Sequence, residues 1–221
     1  MTGFAARLQA GAAALGAPVA APQLSQFELL VNELARWNKA YNLTAITDPA
    51  EILTHHLLDS LSAHQDLAGT TVADVGTGAG FPGLPLAIVN PGRQFTLIDA
   101  VAKKLRFIEH AARTLGLGNV RTLHGRVEAL SLQPFDTVIA RAFAPLPRLA
   151  AWVAPLCDAH TRVIAMKGRW PEHTDGAVAG GGVLDASAGW RIESLREVVV
   201  PGLSEQRHII RLRRDGPGGN A

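Results

Sequence analysis

Residues 72–83 read VADVGTGAGFPG: an apolar run, an acid at Asp74, then glycines at 76, 78, 80 and 83. Glycine at that density lets a backbone come close to a ligand. A strand, a glycine turn and a following helix (LPLAIV) form the layout that cradles nucleotides. A second acid, Asp99, closes the apolar run QFTLID, 23 positions after Gly76. A carboxylate at the end of the second strand of such a unit can accept hydrogen bonds from both ribose hydroxyls. A tight turn with a surface acid beyond it would explain a lone GxG, but not this combination.

The spacing also discriminates between nucleotides. A dinucleotide fingerprint runs G-x-G-x-x-G, and here Phe81 stands where the third glycine belongs, with Gly80 one residue early. Asp74, two residues before Gly76, would repel a pyrophosphate, whereas a carboxylate is tolerated or favoured beside an ammonium or sulfonium group. D-x-G-x-G-x-G therefore favours S-adenosylmethionine over NAD(P), with Asp74, Gly76, Gly78, Phe81 and Asp99 as candidate cofactor contacts. The fourth strand exits through Ala140-Arg141-Ala142-Phe143-Ala144-Pro145. That loop lacks the Asn/Asp-Pro-Pro-aromatic sequence common in enzymes that methylate exocyclic amines. The single cysteine, Cys157, lies in an apolar setting away from strand ends, so a thiol-adduct route is not supported.

These residues need a scaffold. Strand patterns at 71–75, 94–99, 120–125, 135–140 and 161–168 alternate with helical patterns at 82–89, 101–116 and 146–157. The alternation predicts an α/β fold with a Rossmann-like, mostly parallel sheet covered on both faces. Segments 197–202 and 206–214 are close enough to form an antiparallel pair at its end. Ahead of the sheet, Phe27, Leu30, Val31, Leu34 and Trp37 make one apolar stripe of a helix over 23–39. Asp48-Pro49-Ala50-Glu51 opens another over 49–65, with Asp48 as its N-cap. Residues 1–68 thus read as a helical arm packed on the core, 69–214 as the cofactor domain and 215–221 as a disordered tail. The first 22 residues read as a short amphipathic helix or a frayed arm rather than an export signal, since Arg7 and Gln9 interrupt the apolar stretch. Segment 171–190 gives no structural prediction.

Composition is permissive. The 221-residue chain is 48% hydrophobic, carries 21 basic and 19 acidic residues for a net charge of +2, and has a pI of about 9.0. That allows a nucleic-acid partner without requiring one. No apolar run reaches the ~20 residues of a membrane span, and one cysteine fits a reducing cytoplasm. His55-His56 has no acid or cysteine cluster to complete a metal site, so no metal is expected. His56 and Asp59 are expected to hydrogen-bond each other, joining the arm to the sheet. Lys103, Lys104 and Arg106 read as a solvated helix face.

Three stretches together resemble a known family. They are WNKAYNLTAI (37–46) with HHLLDSL (55–61), DVGTGAGFPG (74–83), and FDTVIARAFA (135–144) followed by MKG (166–168). They are similar to the bacterial small-subunit rRNA guanine-N7 methyltransferases (RsmG), also called glucose-inhibited division protein B. The resemblance implies a class I methyltransferase that moves a methyl group from S-adenosylmethionine to N7 of one guanine in 16S rRNA. It further implies that Gly76 opens and Phe81 closes the cofactor loop, that Val127 and Glu128 hold the adenine, and that Arg141 contacts the cofactor. Lys39, Arg126 and Lys167 match basic positions facing RNA, with Arg141 and Lys167 as the positioning pair. The partner implied is 16S rRNA, free or within a partly assembled small subunit, with no obligate protein partner. Two other readings stay open from the residues alone: an NAD(P)-dependent oxidoreductase and a non-catalytic nucleotide- or RNA-binding module.

Overall fold

A computed structural model describes residues 2–168, 183–185 and 189–214. Its centre is one eight-stranded sheet in the order β3-β2-β1-β4-β5-β8-β7-β6. The strands are β1 (Thr71–Val75), β2 (Gln94–Asp99), β3 (Val120–His124), β4 (Thr137–Arg141), β5 (Arg162–Lys167), β6 (Val183–Asp185), β7 (Trp190–Val198) and β8 (Arg207–Arg214). The first five pair in parallel and β8, β7 and β6 follow antiparallel. Strand order reverses between β1 and β4, and the crevice at such a reversal is where open α/β sheets hold ligands.

Alternate residues of β1, β2, β4, β5 and β8 feed two apolar cores. Val72, Phe95, Leu97, Ile139, Ile164 and Ile209 face the side covered by α1 (Thr2–Ala14), α2 (Ala21–Tyr41), α5 (Gly83–Val89) and α6 (Ala102–Thr114). Ala73, Val75, Val138, Val163, Ile210 and Leu212 face α7 (Leu146–Val153). Cys157 is buried in this second core, where burial pushes its thiol up to about 12. Among the described residues no helix is long and apolar enough to cross a membrane.

The helix expected over 49–65 begins as foreseen: the Asp48 side chain accepts from the Ala50 and Glu51 amides. It then departs from the expectation. α3 (Pro49–Glu51) passes into a π-helical segment, Ile52–Leu58, before α4 (Asp59–Leu61). The wider turn sends the Asp59 amide to the Thr54 carbonyl, five residues back. π-bulges of this kind cluster at functional sites, and here the segment lies under the cleft described below. The C-terminal pair also differs in extent. β7 begins at Trp190 and ends at Val198, and 199–206 connect it to β8 with a turn at 201–202, where Gly202 has φ +82°. The short β6 falls inside the 171–190 segment that carried no expectation; the tail expectation lies outside the described residues.

α1 is bound to the core rather than frayed. Leu8, Ala12 and Ala17 are fully buried, and Gly11 lets the helix lie directly on Leu58, where even a Cβ would stand 2.7 Å from a leucine methyl.

The glycine loop is clasped from beneath by Asp74. Its Oδ2 accepts from Thr77 Oγ1 at 2.6 Å and from the Gly83 amide at 2.8 Å, and it lies where a Cβ on Gly83 would clash. One acid thereby closes the loop between the end of β1 and the start of α5. Complete burial pushes this carboxyl up to about 6, against the lowering effect of its two hydrogen bonds.

Two outcomes follow. Leu8→Ala empties a fully buried site, so equilibrium denaturation should show a loss of about 2–5 kcal/mol. Asp74 binds its proton more tightly folded than unfolded, so its contribution to stability falls as pH rises from 3.8 through about 6. Asn keeps an acceptor for Thr77 and Gly83 and removes the charge. The unfolding free energy of Asp74→Asn minus that of wild type should therefore rise by about 2 kcal/mol between pH 4 and 7. A gap that stays constant across denaturant melts at pH 4, 5.5 and 7 would refute the buried-charge account.

Candidate active site

The carboxyl ends of β1, β2, β4 and β5 open into two adjoining cavities that share Gly76 as a wall. Gly76 and Gly78 both hold φ above +60°, a region L side chains rarely adopt. The Gly76 and Thr77 amides both donate to the Ile98 carbonyl, which locks the loop onto β2. A Cβ on Gly78 would meet nothing closer than 4.0 Å. The backbone is thus open for close approach on the cleft side.

The first cavity, about 340 Å³, lies at the end of β2. Asp99 is 7% exposed on its wall. Its Oδ2 accepts from the Gly78 amide at 3.0 Å and its Oδ1 from the Val101 amide at 2.8 Å, and Lys104 Nζ lies 3.6 Å from Oδ2. Each oxygen keeps a further lone pair for a ligand hydroxyl. Val127 and Glu128 form a short 3₁₀ turn on the same wall, beside Arg126, Phe143 and Trp152. The glycine backbone, a fixed acid and an apolar flank fit a nucleoside.

The second cavity, about 450 Å³, lies over β4 and β5. Its walls include Arg141, Lys167, Arg207, His56, Asp59 and Phe81. Asp59 is almost fully buried and takes Arg141 Nη1 on Oδ2 at 2.9 Å and Arg207 Nε on Oδ1 at 3.0 Å. Arg141 also donates to the His55 carbonyl at 2.8 Å. Lys167 Nζ donates to the Ala144 carbonyl. Among the described wall residues Arg141, Lys167 and Arg207 outnumber the single carboxylate Asp59, a balance suited to an anionic or acceptor-rich ligand.

Phe81 is held between two partners. The His56 ring stacks on it with centroids 4.6 Å apart and planes at 14°, and the Arg141 guanidinium lies 5.8 Å from its centroid. His56 Nε2 is 2.9 Å from Thr44 Oγ1, while the Asn38 side chain brackets Thr44 with bonds to its amide and its carbonyl, both 2.9 Å. Burial, with Arg141 nearby, pushes His56 down to about 4. It is therefore neutral near pH 7 and serves as a flat packing surface rather than a cation.

Several expectations are corrected by this geometry. Asp74, expected among the cofactor contacts, is completely buried beneath the loop, forms no part of either cavity wall and spends Oδ2 on Thr77 and Gly83. His56 and Asp59 do not bond each other; the first goes to Thr44 and the second to β4 and β8. Lys104 turns toward Asp99 instead of lying on a solvated face. Arg126 and Lys167 sit on different cavities, and Lys39 is exposed beside a third hollow near Asn38 and Thr44. Arg207 and Phe143 carried no expectation. Arg207 reaches the cleft only because β8 inserts next to β5, which nothing local to its sequence announces.

Comparison with known proteins agrees with the layout. The family model GidB, described as rRNA small subunit methyltransferase G, matches residues 23–209. The ribosomal RNA small subunit methyltransferase G of Erwinia tasmaniensis is 40% identical over 193 residues, covering 87% of this chain and 90% of its own. That of Pseudomonas fluorescens is 42% identical over 214 residues, covering 95% of each. Among solved structures, a SAM-dependent methyltransferase from Aquifex aeolicus superposes with a TM-score of 0.56 at 21% identity, over 78% of this chain and 97% of its own. A mutant of MtNAS in complex with S-adenosylmethionine gives 0.55 at 16% identity, over 87% of this chain and 74% of its own. These two likenesses establish the fold alone. The sequence relationships go further: the chain belongs to the GidB family, the rRNA small subunit methyltransferases G.

Proposed function

We propose that this chain transfers a methyl group from S-adenosylmethionine to N7 of one guanine in 16S rRNA, giving 7-methylguanosine. The observation that carries the reading is the pair of cavities meeting at Gly76, one built for a nucleoside and one cationic, in a chain of this family. S-adenosylmethionine, when bound, supplies an electrophilic methyl group on a sulfonium. Asp99 holds the ribose, Val127 and Glu128 flank the adenine, and Gly76, Gly78 and Phe81 border the methionine half. Arg141 serves the cofactor carboxylate. Lys167 serves the RNA, through a phosphate or guanine O6, as Lys39 and Arg126 do further out.

N7 of guanine has an in-plane lone pair and no proton, so the reaction needs no general base. The neutral, buried His56 is compatible with that, since no proton has to be taken up. What the residues supply is alignment of the lone pair with the methyl carbon, and such positioning can remove on the order of 7–11 kcal/mol of a barrier. The target base must be unstacked to enter. A net charge of +2 is small for tight binding to bare RNA, which supports a shaped rRNA loop or a partly assembled subunit in the cytoplasm as substrate. A dinucleotide oxidoreductase is not favoured, because Phe81 fills the third-glycine position. The test is methyl incorporation into rRNA from a strain lacking the enzyme, followed by nucleoside analysis. Incorporation without 7-methylguanosine would overturn the N7 assignment.

Charge-assisted hydrogen bonds to a ribose are worth roughly 1.5–3 kcal/mol, so Asp99→Ala should weaken S-adenosylmethionine binding about 10–150-fold. An unchanged dissociation constant by calorimetry would refute the ribose role. Arg141→Ala should weaken both cofactor binding and turnover. Lys167→Ala should leave cofactor affinity nearly intact, weaken RNA binding and flatten its salt dependence by about one unit of slope for each phosphate that is no longer neutralised. Loss of cofactor affinity in Lys167→Ala with an unaltered salt slope would reverse that division of labour.

A further inference from the structure

Phe143 stands where the two cavities meet. Its ring lies so close to Gly76 that a Cβ built there would be 2.2 Å from Cδ2 and 2.6 Å from Cε2. The ring meets Trp152 edge-on, with centroids 5.5 Å apart and planes at 69°. Atoms packed over the Gly76 backbone need roughly 3.5–4.0 Å of separation, and the Phe143 ring already takes that layer. A ligand confined to the Asp99 cavity leaves the ring in place. A ligand that runs on past Gly76 into the Arg141 cavity meets it.

The chain around the ring is anchored on both sides. Arg141 is fixed by Asp59 and the His55 carbonyl, and the Ala144 carbonyl is held by Lys167. Between these points Ala142 is solvent-exposed and sits at φ +50°, a left-handed conformation that is strained for alanine. The backbone on either side is therefore held, so any yielding of this loop falls to the half-buried Phe143 side chain.

We propose that Phe143 is a movable partition between the nucleoside and methyl-transfer halves of the cleft, displaced from Gly76 when the methionine half of the cofactor enters. This rests on the reading of the site as an S-adenosylmethionine site. It assigns the R-A-F-A loop a positioning role: the transfer cavity becomes continuous with the nucleoside cavity only when the full cofactor is seated.

The experiment compares wild type, Phe143→Ala and Phe143→Leu, titrated by calorimetry with S-adenosylmethionine and with adenosine, while tryptophan emission is followed. Displacing an edge-on aromatic pair opposes binding of the methionine half alone, so in Phe143→Ala the ratio of S-adenosylmethionine affinity to adenosine affinity should rise about two- to tenfold, with the loss of this apolar wall weighing equally on both ligands. In wild type S-adenosylmethionine should change the tryptophan emission beyond the change adenosine causes by its own contact with the Trp152 wall, and that excess should vanish in Phe143→Ala and in Trp152→Phe. An affinity ratio that falls or stays the same in Phe143→Ala would overturn the proposal, as would an emission response to adenosine equal to that to S-adenosylmethionine. Should Phe143→Ala fail to fold, Phe143→Leu and the wild-type emission decide by the same criteria. Wild type that binds no S-adenosylmethionine overturns the cofactor reading itself, and the partition with it; that result is distinct from a wild type that binds normally with an indifferent Phe143.

Discussion

The arrangement of the cleft depends on one buried carboxylate. Asp59, at the end of the π-helical segment, binds Arg141 from the parallel half of the sheet and Arg207 from the antiparallel half. A charge in that position is tolerable only with its partners in place, because removing one side of a buried ion pair costs about 3–5 kcal/mol. The same contact that joins the helical arm to the sheet therefore aims two guanidinium groups into the cavity. Stability and site geometry are set by one interaction.

A second chain of contacts runs parallel to it. Asn38 fixes Thr44, Thr44 meets His56, and His56 stacks on Phe81 at the end of the glycine loop. From the other side Asp74 ties that loop to the start of α5. The loop is thus held from above by an uncharged stack and from below by a buried acid. The two titratable members act in opposite senses. Burial lowers the histidine to about 4 and raises the aspartate to about 6, so acidification disfavours the folded state through one and favours it through the other.

The parts of this architecture legible in the sequence are those that local rules determine. TVADV and QFTLID are strands over their full expected lengths, and the Asp48 cap is where its spacing put it. Gly76, Asp99 and the Val127-Glu128 turn come together because a glycine turn and strand ends converge at a sheet reversal. What escapes the sequence depends on distant partners. A one-residue widening of a helix leaves no mark in hydrophobic periodicity, so the π segment reads as α. Asp74 and Asp99 look alike in sequence, each closing an apolar run. Only the packing of Gly83 and Leu97 over the first shows that it faces inward. Arg207 needs the pairing of β8 with β5, which no local pattern encodes.

The span between Asp59 and Arg207 also bears on how the chain matures. These partners are 148 positions apart, and β8, which carries Arg207, separates β5 from β7 in the sheet. As the chain emerges from the ribosome, the arm and the five parallel strands are complete long before β8 appears. Until then Asp59 has Arg141 alone, and β5 presents an open hydrogen-bonding edge. Contacts of such long range slow folding, since loop closure precedes their reward. β8, the last of the described strands in chain order, both seals the sheet and supplies a cation of the cleft, so the cavity over β4 and β5 gains Arg207 only after the five parallel strands have been made.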